Sequence, residues 1–473
     1  MQIDEQAVQQ VVANVLRRLQ AAEVTVSRGA PHDQPRTAHG VFSTVDEAVG
    51  FATQAQRELA ALSLNQRQAR INAMRTTALL HADEWARLAR DETGLGRYEH
   101  KVIKNQMAAS KSPGVEDLKI AAQRGDEGLT LHDFLPLGVI CAITPVTNPT
   151  STIINNGLIM IAAGNSVVFC PHPSTARCTR AAMTTLNDAI ASAGGPRNCL
   201  TMVAEPSIRH ATEAMKHRGT NVIVATGGPA VVRAALEQPK RAICAGPGNP
   251  PVVVDETADI AAAARHIVAG CGFDNNLPCI GEKTCVVVDS VADELIRELK
   301  RNGAHEVCGA NARRLSELVM RQHGERHEMN RDLIGQDASV ILQALGEHVA
   351  GDPPIAFYET DRDDPCVLEE QLMPVLPIVR VRSFDEAEYV ARAAEGGRGH
   401  TVILHSRNLD RIAQLRAAIA CTVFVVNGPS AAGDGVGGEG WLSMTIAGHT
   451  GEGFTRPRTF TKQRRLALAG WRL

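Results

Sequence analysis

The sequence predicts an α/β protein with two domains, each built around a parallel β-sheet. Two observations support this fold class. From residue 139 to residue 236, short apolar runs typical of buried strands alternate with segments that begin like helices. The same alternation starts again after Gly246 and continues to about Asn427. Because strands that are joined by helices pair in parallel, each series indicates one sheet with helices on both faces.

The composition excludes several classes of function. The chain has 473 residues, enough for two or three domains, and its formal net charge of −3 provides no basic field to attract nucleic acid. No apolar run approaches the roughly 20 residues of a membrane helix, and the N-terminus lacks the apolar core of a secretion signal. The eleven cysteines show no C-x-x-C pairs and no metal-ligand spacing to histidines. We therefore expect a cytoplasmic protein with reduced cysteines that binds small molecules, without a metal, a membrane or nucleic acid.

An amphipathic helix is predicted at the N-terminus, over residues 1–20. Its apolar side chains fall on one helical face, acidic residues precede them, and arginines lie near the end, which suits the helix dipole. Residues 21–36 are rich in Gly, Pro, Thr and His without any period, as in a flexible linker. The helix could pack on its own domain, fill an oligomer contact, or dock on another protein.

Helices and then a hairpin are predicted before the first sheet. Helix-forming residues dominate from residue 43 to about residue 123, where three or more helices fit, and Thr44 and Glu47 match a capping box. Next come the strand-like runs GLTLHDF and LGVICAIT, which predict a hairpin at about residues 125–135.

The first alternating series contains the strands VICAIT, NSVVFC, CLTMVA and NVIVAT, followed in turn by helices that begin at Pro149, Ser174, Ser207 and Pro229. The second series begins with the strand PPVVVD, a helix from Ala258 to about Gly270, and the strand TCVVVD. A ligand is expected at the carboxyl edge of such a sheet, because loops after parallel strands meet there.

The turn TPVTNP follows the first strand of the first series. Two prolines hold its backbone, and Asn148 offers a side-chain amide donor. A rigidly aimed amide can stabilise a developing oxyanion. Taken alone, the motif fits an ordinary turn as well.

The turn TGGPAVVRAAL follows the strand NVIVAT. Gly227 and Gly228 permit close backbone approach, and Pro229 suits the first position of a helix, whose N-terminus can face a phosphate. The pattern is not G-x-G-x-x-G, so a tight strand-to-helix turn explains it equally well.

Cys279 lies directly after a proline in the polar stretch FDNNLPCIGEKT. Cys271 lies at the end of a predicted helix and Cys285 begins a predicted strand, so Cys279 is the one thiol of this region in a loop. A reactive thiol must be reachable and partly ionised. The loop alone leaves a nucleophile and a structural thiol equally open.

The chain resembles the aldehyde dehydrogenase superfamily, and within it the CoA-acylating aldehyde dehydrogenases of bacterial microcompartments. The resemblance runs from about residue 37 to the C-terminus, in the ordered segments TPVTNP, INNGLIMIAAGNSVVFCPHPS, ATGGPAVVRAAL, AGPGNPPVVVDETADI, FDNNLPCIGEK, LEEQLMPVLPIV, NGPSAAGDGVGGEG and TIAGHTGEG.

This resemblance implies the aldehyde dehydrogenase fold. A Rossmann-like domain for NAD and CoA is expected at residues 37–244, interrupted by the hairpin, and an α/β catalytic domain at residues 245–428. The C-terminal segment, residues 429–473, would join the hairpin in a small β oligomerisation element of a homodimer or homotetramer.

The resemblance also implies the site residues. Cys279 matches the catalytic thiolate, and Asn148 matches the side-chain donor that binds the oxyanion beside the Cys279 backbone N–H. Glu370 matches the glutamate at the nicotinamide ribose, and Leu372 takes the place of an aromatic residue near the nicotinamide. The remaining positions expected to contact the cofactor are Thr144, Pro145, Pro171, His172, Thr226, Gly227, Gly228, Ala245 and Gly246.

Two departures from the hydrolytic members are informative. Their segment E-L-G-G-K supplies a glutamate that activates water, whereas this chain has Cys244 in CAGPG. Without that base the acyl-enzyme reacts more readily with the thiol of CoA than with water. Cys170 replaces a lysine that faces the adenosine ribose, so Pro171 and His172 are the expected contacts there.

The resemblance therefore implies a ping-pong oxidation of a short-chain aldehyde, such as propionaldehyde, by NAD⁺ and CoA, through a thioester on Cys279. The alternatives are a hydrolytic aldehyde dehydrogenase that releases a free acid and a non-catalytic microcompartment scaffold. Residues 1–36 resemble encapsulation peptides, which implies a location inside a microcompartment and contacts with shell or core proteins.

Overall fold

The computed structural model describes residues 39–324 and 326–470. The predicted N-terminal helix and linker, at residues 1–20 and 21–36, lie outside the described residues. The described chain forms two compact units. The Asn148 unit contains residues 39–93, Val102–Ala245 and 441–470, and the Cys279 unit contains Gly94–Lys101 and Gly246–Gly440.

Four helices lie between a first short strand, Val41–Phe42, and the hairpin, where the composition predicts three or more: α1 Val45–Ala61, α2 Leu64–Leu80, α3 Ala82–Thr93 and α4 Tyr98–Lys111. The capping box at α1 is confirmed. The Glu47 N–H donates to Thr44 Oγ1 at 3.2 Å, and the Thr44 N–H donates to Glu47 Oε2 at 3.2 Å. Both bonds satisfy amides that a helix start leaves without partners.

The Asn148 unit is built around a six-stranded sheet in which every pairing is parallel. The strand order is β1-β6-β5-β4-β7-β8, with bounds β1 Val41–Phe42, β4 Val139–Thr144, β5 Ser166–Pro171, β6 Leu200–Val203, β7 Val222–Thr226 and β8 Arg241–Ala245. The connecting helices are α5 Pro149–Ala162, α6 Ala176–Ser192, α7 Ile208–Lys216 and α8 Pro229–Leu236. The predicted alternation of strands and helices is confirmed for this unit.

The hairpin lies earlier in the chain than the sequence pattern indicates. Strand β2, Ala121–Gly125, pairs antiparallel with β3, Gly128–Pro136, and β3 pairs on its other side with β20, Thr461–Ala469. The run VICAIT instead forms β4 of the parallel sheet. Residues 121–123, which we expected to be helical, are strand because pairing with β3 outweighs the helix propensity of Ala, Gln and Arg.

The Cys279 unit contains a second, seven-stranded parallel sheet with the order β11-β14-β15-β10-β9-β16-β17. The strand bounds are β9 Pro251–Val254, β10 Thr284–Val288, β11 His305–Glu306, β14 Ala356–Glu359, β15 Val375–Val381, β16 Thr401–His405 and β17 Val423–Val426. The helices are α9 Ile260–Gly272, α10 Asp289–Arg301, α11 Ala310–Val319, α12 Ala338–Leu345, α13 Pro365–Leu368, α14 Phe384–Glu395 and α15 Leu409–Ala418. The second predicted series is thus confirmed.

Two small antiparallel ribbons complete the described strands: β12 Met320–His323 with β13 Arg326–Met329, and β18 Ile446–Ala447 with β19 Gly453–Phe454. Within the described ranges, no helix combines the length and the apolar composition that crossing a membrane requires.

Asn165 joins three parts of the Asn148 unit. Its buried Oδ1 accepts hydrogen bonds from the backbone N–H groups of Leu137 at 2.7 Å and Gly138 at 2.9 Å, at the entry to β4. Its Nδ2 donates to the carbonyl oxygen of Phe460 at 2.9 Å, directly before β20. One side chain therefore satisfies backbone groups that are far apart in sequence and partly or fully buried.

We predict that Asn165→Ala lowers the free energy of unfolding by about 3 kcal/mol, because it leaves two partly buried backbone donors and a buried acceptor without partners. Urea denaturation followed by circular dichroism measures this change. The matched control is Asn65→Ala at an exposed helical position, which we expect to be nearly neutral. Equal stability of the two variants would contradict the role of Asn165.

Candidate active site

The carboxyl edge of the six-stranded sheet collects most of the residues that the sequence assigns to cofactor binding. Strands β4, β5, β7 and β8 end at or next to Thr144, Pro171, Thr226 and Ala245. The chain continues from β4 to β5 in one direction along the sheet and returns to β7 on the other side of β4. Such a reversal of strand order opens a crevice between the loops, where α/β proteins bind ligands. The loops at this edge carry Thr144, Pro145, Asn148, Pro171, His172, Thr226, Gly227, Gly228 and Ala245.

The turn at Gly227 and Gly228 has room for a ligand. A methyl group added to Gly228 would have no neighbour within 4 Å, and one on Gly227 would meet only Val231 at 3.9 Å or more. The Gly227 N–H donates to the Ala245 carbonyl at 3.1 Å, which fixes the turn, and α8 begins directly after it. This open helix N-terminus fits a phosphate group.

Thr144 and His172 complete this edge. The Thr144 hydroxyl is buried, and no described residue provides it with a hydrogen-bond partner, so it is available to a ligand. His172 is exposed, its Nδ1 accepts from the Ser174 N–H at 3.2 Å, and partial burial of the ring lowers its pKa. Cys170, which precedes Pro171 and His172, belongs to the apolar core of the unit, and its Sγ lies 3.8 Å from the Sγ of Cys141.

Asn148 precedes the first residue of α5 but does not cap the helix with its side chain. Its Oδ1 instead accepts a hydrogen bond from Lys104 Nζ at 2.6 Å, and its Nδ2 donates to Thr147 Oγ1 at 3.1 Å. Asparagine at this position usually binds an amide of the first helical turn. The Asn148 amide is therefore directed away from its own helix.

Cys244, which the resemblance aligns with the glutamate of the hydrolytic enzymes, is buried in the apolar core of the Asn148 unit. Its backbone N–H donates to Thr450 Oγ1 at 3.0 Å. Burial, followed by the nearby charge of Glu452, raises the pKa of its thiol to about 11. A protonated thiol in an apolar core offers no base for the activation of water.

The loop that carries Cys279 begins with an unusual backbone in the Cys279 unit. Asp274, Asn275 and Asn276 follow one another with φ angles of +48°, +55° and +60°, in the left-handed region. Asp and Asn tolerate this region better than other side chains do. The Arg97 N–H donates to Asp274 Oδ1 at 2.7 Å, and Arg97 Nε donates to Asn275 Oδ1 at 2.9 Å. The Asn-rich composition thus serves a specific backbone path.

Lys283 holds the other side of this loop. Its amine is fully buried and donates to Asn276 Oδ1 at 2.8 Å, to the Asn276 carbonyl at 2.5 Å and to the Pro278 carbonyl at 3.2 Å. Burial lowers the pKa of this amine, and the nearby acids act in the opposite direction. Three acceptors on one ammonium group fix the chain immediately before Cys279.

Cys279 is half-buried, and burial raises the pKa of its thiol to about 12. Glu370 and Asp434 act in the same direction as burial, and Lys283 opposes them. With its pKa raised in this way, the thiol is mostly protonated at neutral pH. Attack by Cys279 therefore requires that its proton be removed.

His400 lies beside the Cys279 backbone. A methyl group on Gly248 would come within 2.6 Å of the Cys279 carbonyl oxygen and 2.9 Å of His400 Cγ, so Gly248 separates the two. His400 is buried, its Nδ1 contacts Thr401 Oγ1 at 2.8 Å, and its Nε2 has no partner among the described residues. Burial lowers the pKa of His400 to about 4, which leaves a neutral imidazole at pH 7. A neutral imidazole can accept a proton.

Glu370 and Leu372 lie in one segment of the Cys279 unit. The Glu370 carboxyl accepts the backbone N–H of Gly248, and burial raises its pKa. Leu372 has a left-handed φ of +41°, and its carbonyl accepts the Gly335 N–H at 3.0 Å. Between them, Gln371 Nε2 donates to the Lys283 carbonyl at 2.8 Å. The segment is thereby attached to the base of the Cys279 loop.

The predicted residues form two sets, one in each unit. Cys279, Glu370, Leu372 and Gly246 belong to the Cys279 unit, and the others belong to the Asn148 unit. Sequence analysis missed Lys104, Lys283, His400 and Thr450. For Lys283, a signal was available in the sequence: an acidic and a basic residue, Glu282 and Lys283, stand next to each other in GEK shortly after Cys279. The other three carry no local pattern that distinguishes them from surface residues.

Glu282 is a fully buried carboxyl next to Lys283. Its Oε1 accepts the Ser430 N–H at 2.9 Å and its Oε2 accepts the Ser430 hydroxyl at 2.7 Å. Burial nevertheless raises its pKa from 4.5 to about 7. The folded protein therefore favours the protonated carboxyl, and this contribution to stability is complete below pH 4.5 and is lost as the pH rises through 7.

We predict that Glu282→Gln removes this pH dependence, because the amide keeps the shape and hydrogen bonds of the neutral carboxyl. The free energy of unfolding of the variant relative to the unchanged protein should rise by about 3 kcal/mol between pH 4.5 and pH 8. Urea denaturation at several pH values measures this difference. A difference that stays constant over the range would show that Glu282 ionises normally.

Comparisons with known proteins identify the family of the chain. The profile of the aldehyde dehydrogenase family matches residues 32–441. Acetaldehyde dehydrogenase (acetylating) EutE from Salmonella typhimurium is 45% identical over 469 residues, which cover 98% of each chain. Propanal dehydrogenase (CoA-propanoylating) from the same organism is 40% identical over 455 residues, or 96% of this chain and 97% of that protein.

Solved structures give the same result. The propionaldehyde dehydrogenase of Rhodopseudomonas palustris, solved with bound CoA and an acylated cysteine, superposes with a TM-score of 0.89 at 43% identity, over 92% of this chain and 99% of that one. A propionaldehyde dehydrogenase from the fucose utilisation bacterial microcompartment of Clostridium phytofermentans has the same TM-score and identity, over 91% and 99%. With its two parallel sheets, its Cys279 loop and these matches, the chain belongs to the aldehyde dehydrogenase family.

Proposed function

We propose that the protein is a CoA-acylating aldehyde dehydrogenase that converts a short-chain aldehyde, NAD⁺ and CoA into acyl-CoA and NADH. The observation that carries this proposal has two parts. The Cys279 thiol lies on a fixed loop, and Cys244, at the position expected for the water-activating glutamate of hydrolytic members, lies in an apolar core. Similarity to acetylating and propanoylating enzymes over nearly the whole chain supports it.

In the first half-reaction the Cys279 sulfur forms a bond to the aldehyde carbon. The thiol proton leaves for a base, and His400 is placed for that role because it lies beside the Cys279 backbone and its Nε2 has no partner among the described residues. The Asn148 amide and the Cys279 N–H donate to the oxyanion of the thiohemiacetal. NAD⁺, when bound, accepts the hydride, and Cys279 is left as a thioester.

In the second half-reaction the thiol of CoA attacks the thioester carbon, and the Cys279 thiolate leaves and regains a proton. Water competes poorly, because the chain offers no carboxylate at Cys244 and a thiol is the better nucleophile near neutral pH. The reverse reaction, reduction of an acyl-CoA, uses the same groups. The acylated cysteine and bound CoA of the Rhodopseudomonas palustris enzyme support this assignment.

The loops at the carboxyl edge of the six-stranded sheet are the proposed cofactor site. The open turn at Gly227 and Gly228 would hold phosphate, and the partnerless Thr144 hydroxyl would face the cofactor. Glu370 would bind the nicotinamide ribose, with Leu372 near the nicotinamide ring. The further contacts are proposed at Pro145, Pro171, His172, Thr226, Ala245 and Gly246.

The two alternative functions are less consistent with the site. A hydrolytic enzyme needs a base for water, and Cys244 supplies none. A non-catalytic scaffold would not need the three left-handed residues and the buried Lys283 that fix the Cys279 loop. Labelling of resting Cys279 by iodoacetamide does not separate the scaffold from the enzyme, because a thiol with a pKa of about 12 reacts slowly in either case.

Assembly is the remaining part of the proposal. The three-stranded sheet β2-β3-β20 leaves Ile120 and Leu466 exposed beside it, which suits contact with a second copy of the chain. We place the homodimer or homotetramer contact there. Residues 1–20 would bind shell or core proteins of a microcompartment, as the source of the Clostridium phytofermentans relative suggests.

We predict that purified protein with propionaldehyde and NAD⁺ forms NADH continuously only when CoA is present, and that without CoA it stops after about one turnover per site. Cys279→Ala should form no NADH under either condition. Absorbance at 340 nm measures the reaction, and the exposed Cys308→Ala is the matched control. Sustained turnover without CoA would mean that water completes the reaction and would establish the hydrolytic alternative.

We predict that Gly248→Ala lowers kcat about 100-fold, because the added methyl group overlaps the Cys279 carbonyl oxygen and the His400 ring and displaces the nucleophile. Steady-state kinetics with propionaldehyde, NAD⁺ and CoA measure this loss. Gly50→Ala, whose added methyl group would have no neighbour within 4 Å, should retain full activity. A fully active Gly248→Ala variant would show that the close approach of Gly248 to Cys279 is not required.

A further inference from the structure

We infer that Lys104 is a positioning residue for the reaction: it fixes the orientation of the Asn148 amide so that its N–H points to the oxyanion. This inference rests on the proposed function of Asn148. The observation behind it is the hydrogen bond of 2.6 Å from Lys104 Nζ to Asn148 Oδ1, between two side chains that are 7% and 9% exposed.

The Asn148 backbone is already fixed without Lys104. The carbonyl oxygen of Asn148 accepts the Thr152 N–H at 3.1 Å and the Thr152 hydroxyl at 2.6 Å, at the first turn of α5. The side chain is a separate matter, because rotation about the last bond of an asparagine exchanges its oxygen and nitrogen at little cost. A wrongly rotated amide would present an acceptor to an oxyanion and would repel it.

Lys104 removes this ambiguity. An ammonium group carries only donors, so its partner atom on Asn148 must be the oxygen. Nδ2 is then held on the opposite side, where one N–H donates to Thr147 Oγ1 at 3.1 Å. The second N–H of the amide is the one that we assign to the substrate oxyanion.

The charge of Lys104 adds to this orientation. A cation that binds the amide oxygen draws electron density from the amide and makes its N–H groups stronger donors. The bond is buried, where such an effect is less screened by water. The helix α4 supports the same contact, since the neighbouring Asn105 accepts the Thr150 hydroxyl at 2.8 Å. Lys104 thus acts through Asn148 and not on the substrate.

A double-mutant cycle tests this inference. The variants are Lys104→Met, which keeps the length of the side chain without its charge, Asn148→Ala, and both together. The readout is the rate of the first NADH turnover with propionaldehyde and NAD⁺ and without CoA, together with the KM for the aldehyde. Thermal unfolding checks that each variant is folded, and the exposed Lys119→Met is the matched control.

We expect Asn148→Ala to lower the first-turnover rate about 100-fold or more. Lys104→Met alone should lower it about ten-fold with little change in KM, and in the Asn148→Ala background it should change the rate less than about two-fold. If Lys104→Met does not fold, Lys104→Arg, which keeps a donor, should give a smaller loss that likewise disappears in the Asn148→Ala background.

An equal loss from the Lys104 variant in both backgrounds would overturn the positioning role and leave the role of Asn148 intact. An unchanged rate in Lys104→Met would overturn it in the same way. An unchanged rate in Asn148→Ala would instead overturn the proposed oxyanion role of Asn148, and the inference about Lys104 with it.

Discussion

The shape of the Cys279 loop depends on the hydrogen bonds that the buried ammonium group of Lys283 donates to it. Three consecutive residues with left-handed backbone cost roughly 1–2 kcal/mol each, so this path would not persist without compensation. Lys283 compensates from one side with bonds to Asn276 and Pro278, and Arg97 compensates from the other with bonds to Asp274 and Asn275. Because Gln371 binds the Lys283 carbonyl, the position of Glu370 is set by the same residue. Lys283 therefore holds both the loop of the proposed nucleophile Cys279 and the segment of the proposed ribose ligand Glu370.

Each unit contains a buried lysine close to a residue with a proposed role in the reaction, Cys279 in one unit and Asn148 in the other, but the two lysines act in different ways. In the Cys279 unit, Lys283 binds two main-chain carbonyls and the Asn276 side chain in the loop that carries Cys279. In the Asn148 unit, Lys104 binds the functional side chain itself. A buried lysine is costly, and each one is retained where several oxygens or an amide need a fixed donor. The rigidity of the site thus derives from charges that do not themselves react.

The fold was largely predictable from the sequence, and the chemistry of the site was predictable only in part. Strands such as Val139–Thr144 and Thr284–Val288 are short apolar runs between turn residues, and such patterns are local. The contacts of Lys104 with Asn148 and of Thr450 with Cys244, and the approach of His400 to Cys279, join residues far apart in sequence, which no local pattern encodes. The pKa of the Cys279 thiol depends on burial and on Glu370 and Asp434, so the loop composition alone could not decide between a reactive and a structural thiol. The prediction of helix at residues 121–123 was wrong for a similar reason, since pairing with β3, and not composition, decides the conformation of β2.

The connectivity of the three-stranded sheet has a consequence for synthesis of the chain. Thr461 pairs with Pro136, so β20 can join β3 only after the whole Cys279 unit has been made. Until then one edge of β3 has no neighbouring strand, and an exposed edge is a site of unwanted association. Contacts of such long range also form slowly. The residues of the Cys279 unit from Gly246 to Gly440 are contiguous, so this unit can fold before β20 of the Asn148 unit has been made. The surface that we propose for assembly is therefore completed by a strand that follows the Cys279 unit in the chain, so subunits can associate through it only after that unit has been made.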